Sequence, residues 1–158
     1  MKSKTIAIIM ILLAAIMVCS CNMDPEISGD AEITLRVGMG AVEYIMNKYQ
    51  TDGSYPGLNI VAGDNYVMVL NFSNCSATLD LSAIDPSLGT KTVVVNGQVS
   101  YKFEAYPESY PSTMTFNISF KYGGSSHTLE MKVRATGVSS MSATNIKVDG
   151  KKYRDESI

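Results

Sequence analysis

The chain has 158 residues, 46% of them hydrophobic, with 13 Lys and Arg against 15 Asp and Glu. That is one domain's worth of chain, long enough to bury a core. The slightly negative balance gives no electrostatic reason to bind nucleic acid, and none for a polybasic contact with a membrane surface.

Lys2 and Lys4 form a short positive start, and Ile6 to Val18 is a run of 13 apolar residues without charge. This is the length of a secretory h-region and falls short of the ~20 residues of a membrane span. The run ends at Cys19-Ser20-Cys21 and turns polar at Asn22. Val18 three places before Cys21, small Cys19 in the second position and Ser20 directly before it resemble the lipobox of bacterial lipoproteins. The resemblance covers residues 1–21. It implies that residues 1–20 are a cleaved signal peptide and that the Cys21 thiol carries a diacylglycerol. The freed amino group would take a further acyl chain such as palmitate. More than one chain is needed, because each buried CH₂ contributes only ~0.8 kcal/mol. The implied address is a bacterial cell envelope, with the membrane as partner through the lipid on Cys21. Asn22, in place of the Asp that marks inner-membrane retention in some Gram-negative bacteria, points to the outer membrane. Lys2 and Lys4 leave with the signal, so the net charge falls from −2 to −4 and the lipid must do the anchoring. Of 3 cysteines, only Cys75 then remains, with no partner for an internal disulfide.

Residues 21–30 are polar and broken by Pro25 and Gly29, which suits a tether of ~30 Å at most. Residues 31–158 then read as a single β-rich domain. Ala31 to Val37 alternates, with Ile33, Leu35 and Val37 on one side, and predicts a half-buried strand. Met39, Val42, Met46 and Tyr49 lie at helical spacing and predict a helix from about Gly38 to Gln50. Tyr66 to Phe72 predicts a core strand, Ala77 to Leu81 a weaker one, and Asp85-Pro86-Ser87 a turn. Thr90 to Val95 and Val99 to Phe103 flank Asn96-Gly97, a strong hairpin signal because both residues tolerate positive φ. Met114 to Tyr122 and Leu129 to Val133 alternate cleanly around Gly123-Gly124. A last pair closes around Asp149-Gly150.

Successive hairpins mean antiparallel neighbours, and clean alternation means one dry face and one wet face. The fold class is therefore mainly β: an antiparallel meander forming a sandwich or partly open barrel, with one N-terminal α-helix packed on it.

Chemistry-bearing patterns are sparse. Gly38-Met39-Gly40 opens a helix, but Glu43 stands at the third glycine position of a dinucleotide loop and no parallel βαβ unit follows. His127, the single histidine, follows a Gly-Gly-Ser-Ser turn and reads as a surface residue. Cys75 has no histidine near it in sequence and reads as a passive, semi-buried thiol. One His and one such Cys do not make a zinc site, so no metal and no cofactor is expected. The carboxylate pairs Asp24/Glu26, Asp30/Glu32, Asp80/Asp85 and Glu104/Glu108 are those of any acidic protein. Tyr106-Pro107-Glu108-Ser109-Tyr110-Pro111 is a stiff loop between two strong strands, and Tyr106 and Tyr110 are its candidate binding residues. The expectation is a lipid-anchored envelope protein that is not an enzyme and acts as an interaction or structural module toward an envelope protein or glycan. The alternative is a carrier with an apolar ligand in a β-barrel-like cavity.

Overall fold

The computed structural model describes residues 27, 29–105, 108, 110–137, 140–154 and 156–157. The segment 1–20, Cys21, most of the tether and Tyr106 lie outside the described residues.

Among the described residues the first element is a helix, α1, at Asp30–Asp52. It absorbs Ala31 to Val37, which is its opening and not a strand. Both periods fit those seven residues; Thr34 decides between them. A strand would put Thr34 on the wet side with Glu32 and Arg36, yet it is 3% exposed. Thr34, Leu35, Val37, Gly38, Ala41, Val42, Ile45 and Met46 are all buried, the 3–4 spacing of one helical stripe. Glu32 and Arg36 pair at 2.6 Å, one turn apart. Asp30 and Glu32 complement the positive helix start. Gly53, left-handed at φ 75°, ends the helix and donates its N–H to Tyr49 O.

The described strands form one antiparallel sheet. Its strands are β1 Leu58–Ala62, β2 Val67–Asp80, β3 Thr90–Phe103, β4 Ser112–Tyr122, β5 Ser125–Gly137, β6 Ser140–Val148, β7 Lys151–Lys152 and β8 Glu156–Ser157. They are ordered β1 to β7 as a meander, with β8 pairing β6. The sheet is not closed, since β1 and β7 are its two ends. The protein is thus mainly β, a meander with one N-terminal helix packed on it, as the alternation predicts.

Asn96-Gly97 is not a hairpin. β3 runs straight through it, pairing Val99 with Leu70 and Val95 with Cys75. What bends there is β2: Ser73 and Asn74 form a bulge against Asn96, and the Asn74 N–H donates to Asn96 Oδ1 at 2.8 Å. Gly97 sits at φ 107°, and a Cβ there would lie 2.5 Å from Asn117 O. The glycine serves a close approach of β4. The Gly123-Gly124 and Asp149-Gly150 turns do occur, with φ of 58° and 86° and of 50° and 76°.

One sheet face is dry. Leu70, Phe72, Val93, Val99, Tyr101, Phe116, Ile118, Phe120, Leu129, Met131 and Ala143 are all buried on it, in one cluster with Leu35, Met39, Val42, Ile45 and Met46 of α1. The helix approaches closely because Gly38 has no side chain: a Cβ there would lie 2.7 Å from Phe120 Cε1. Apolar burial of this kind contributes roughly 25 cal/mol per Å².

Candidate functional site

The opposite face of the sheet is left uncovered by α1, and the register assembles a polar row across it. Asn59 pairs Asn71, Asn71 pairs Gln98, and Gln98 pairs Asn117. Asn117 then pairs Glu130, Glu130 pairs Lys147, and Lys147 pairs Lys152. The row crosses every strand from β1 to β7 at the ~4.8 Å strand spacing. Gln98 Nε2 donates to Asn71 Oδ1 at 3.0 Å, and Lys147 Nζ to Glu130 Oε2 at 2.8 Å. Where β5 bulges between Glu130 and Lys132, the row meets an open groove of about 300 Å³, lined by Thr115, Phe116, Asn117, Glu130, Met131, Lys132, Asn145 and Lys147. Amides, hydroxyls, a carboxylate and ammonium groups here offer both donors and acceptors to a ligand lying across the strands.

Beside this groove, Arg134 clamps Glu104 through Nε at 3.2 Å and Nη2 at 2.8 Å, and Thr113 Oγ1 donates to the same carboxylate at 2.8 Å. These contacts, Arg134 first, hold the Glu104 carboxyl down at about 2. A second groove of about 340 Å³ runs between α1 and the β2–β3 connection, lined by Arg36, Glu43, Tyr44, Asn47 and Ile84 among others. Burial raises the Glu43 carboxyl above its ordinary value.

The expected chemical residues fall apart. Cys75 is fully buried, and burial pushes its thiol up despite a backbone hydrogen bond from Ser73; such a thiol is a poor nucleophile. His127 is not a free surface residue. Its ring stacks on Tyr122 at 4.9 Å, and Nδ1 lies 2.9 Å from Asp149 Oδ2. Burial raises the Asp149 carboxyl, but its bonds to His127 and to the Thr128 N–H outweigh this and leave it below the ordinary range. The pair ties the β6–β7 turn to β5, and among the described residues no serine or cysteine is hydrogen-bonded to it. Tyr110, half-buried, packs against the core cluster beside the cis Tyr110-Pro111 bond. This member of the candidate loop thus lies partly against the core and partly exposed. Beneath it, Tyr101 is buried and its hydroxyl is pushed up to about 12, with the Ser112 hydroxyl beside it acting in the opposite direction. Among the described residues, no group of three or more His, Cys, Asp and Glu side chains is placed to hold a metal ion, and no helix is long and apolar enough to cross a membrane.

The polar row is invisible in the sequence, because it exists only through register. Its members lie in seven separate strands, one in each, and nothing in the linear pattern marks them as neighbours. No family model matches the chain, and no curated protein and no solved structure matches it.

Proposed function

We propose that the chain is a lipid-anchored protein of a bacterial cell envelope, held through a lipid on Cys21, whose β-domain is an interaction module. Its contact surface would be the uncovered sheet face, with the row Asn71, Gln98, Asn117, Glu130 and Lys147 meeting an envelope protein or glycan. The observation that carries this reading is the asymmetry of the sheet. One face is filled by α1, while the other offers a continuous row of hydrogen-bonding side chains and a groove. The helix side chains that occupy the apolar face speak against a cavity for an apolar ligand. The anchor rests on the lipobox resemblance alone.

The test is photo-cross-linking of the full chain in bacterial cells, with the reactive group at Asn117 or, as control, at exposed Lys48 of α1. The expected result is a discrete adduct from Asn117 and none from Lys48. Palmitate labelling of the chain should disappear in Cys21→Ala, and the Asn117 adduct with it. Adducts of equal yield from both positions would overturn the assignment of the face, and palmitate labelling that survives Cys21→Ala would overturn the anchor.

A further inference from the structure

The two ends of the sheet are built differently. β7 is two residues long and both are lysines, Lys151 and Lys152, which is how sheets guard an edge against pairing with another chain. At the other end, β1 reads Leu58-Asn59-Ile60-Val61-Ala62. The stretch from Gly57 to Gly63 carries no charge and no proline, and no described strand pairs with its outer side. The exposed large apolar residues among those described are Val61, 46% exposed, and Tyr66, 57% exposed. Both sit at this end, on β1 and in the turn that follows it.

The backbone groups that face outward can be identified. In antiparallel pairs, hydrogen-bonded and non-bonded positions alternate. Ser73 N–H donates to Gly57 O at 2.9 Å, and Gly63 N–H to Val67 O at 2.8 Å. In the same register, Asn59 pairs Asn71 and Val61 pairs Val69, so these odd positions bond inward to β2. Leu58, Ile60 and Ala62 therefore aim their backbone groups off the edge. The Leu58 N–H is already donated to Tyr55 O at 3.1 Å. What remains is the Leu58 carbonyl and both groups of Ile60 and of Ala62.

We propose that this edge pairs with β1 of a second copy of the chain, antiparallel, about a two-fold axis at Ile60. Ile60 exchanges two hydrogen bonds with the partner subunit's Ile60. The Ala62 N–H reaches the carbonyl of the partner subunit's Leu58, and the symmetric bond makes four in all. Exposed Val61 lies opposite the partner subunit's Asn59. Half-buried Leu58 and Ile60 gain cover on the helix side of the sheet. A second copy fits better than a foreign strand because one set of groups serves both sides of a two-fold, and the neutral strands bring no like charges together. The contact is isologous, so β1 is used up by one pairing.

Disulfide trapping of the full chain in its membranes tests the register. Hydrogen-bonded antiparallel partners have Cα atoms ~5.5 Å apart, within disulfide reach, whereas positions offset by two residues do not. Mild oxidation of Ile60→Cys should give a covalent species of twice the chain mass, and Asn59→Cys and the wild type should not. Val61→Lys, at a side chain that is 46% exposed and so leaves the ammonium in water, should halve the mass of the detergent-extracted protein. An Ile60→Cys chain that stays single or links to a different protein overturns the proposal. So does an Asn59→Cys chain that dimerises equally, or a wild-type mass of one chain.

Discussion

At single residues, the molecule is decided by a few side chains and by their absence. Gly97 combines φ 107° with two backbone atoms of β4, Asn117 O at 2.5 Å and Ile118 Cα at 2.9 Å from any added Cβ. Gly89 is equally left-handed, at φ 58°, but has open space around it. Alanine at Gly89 should cost about 1 kcal/mol, the conformational penalty alone. Alanine at Gly97 should cost about 3 kcal/mol, because backbone must also move. Urea unfolding of the two variants separates the terms, and equal losses would deny the close approach of β4. Glu104 gives a different signal. Its carboxyl is held from 4.5 to about 2 by Arg134 and Thr113, so it favours the folded state when ionised. That contribution is complete above pH 4.5 and fades as the pH falls toward 2. The group is exposed, so the effect is small. Acid titration of Glu104→Gln against the wild type should show two stability curves that differ above pH 4.5 and converge near pH 2.

At the level of elements, the sequence was legible where one period is unambiguous. β4 and β5 alternate for long stretches, and their turn is two glycines; both lie where the pattern puts them. The start of α1 was not legible because Ile33, Leu35 and Val37 satisfy period two as well as the helical stripe. The burial of Thr34 settles the matter only in three dimensions. Asn96-Gly97 misled for a related reason: a dipeptide that tolerates positive φ serves a bulge and a close contact as readily as a turn. The placement of the loop residue Tyr110 was not legible either, since a ring beside a proline can lie against the core as readily as it can project. A substitution at Thr34 makes the helix reading testable. On a strand's wet side, lysine would be nearly neutral. In the buried stripe it should cost roughly 3 kcal/mol or more, since the ammonium is desolvated without a partner. Thermal unfolding of Thr34→Lys beside Arg36→Lys, which keeps its charge, distinguishes the two arrangements.

Across the whole molecule, a sheet that is not closed has two edges, and the number of edges open to pairing sets the size of any assembly. One open edge closes at two copies. Two open edges allow continued strand addition, since each added chain presents a fresh edge. Here β1 is neutral and apolar, while β7 presents Lys151 and Lys152, with the Lys151 ammonium 5.3 Å from the Tyr153 ring centroid. Lysine opposes strand addition because pairing would bring ammonium groups of two copies together and strip them of water. Replacing both, Lys151→Thr with Lys152→Val, should therefore change the kind of assembly as well as its amount. Light scattering of the extracted protein should rise with concentration beyond the two-chain size. Adding Val61→Lys to the same chain closes the β1 edge and should return the assembly to two copies, now joined through β7. If the double variant keeps the wild-type size at all concentrations, the shortness of β7 is itself the guard and its lysines are dispensable. If it grows and Val61→Lys does not arrest it, the β1 edge is not the second contact.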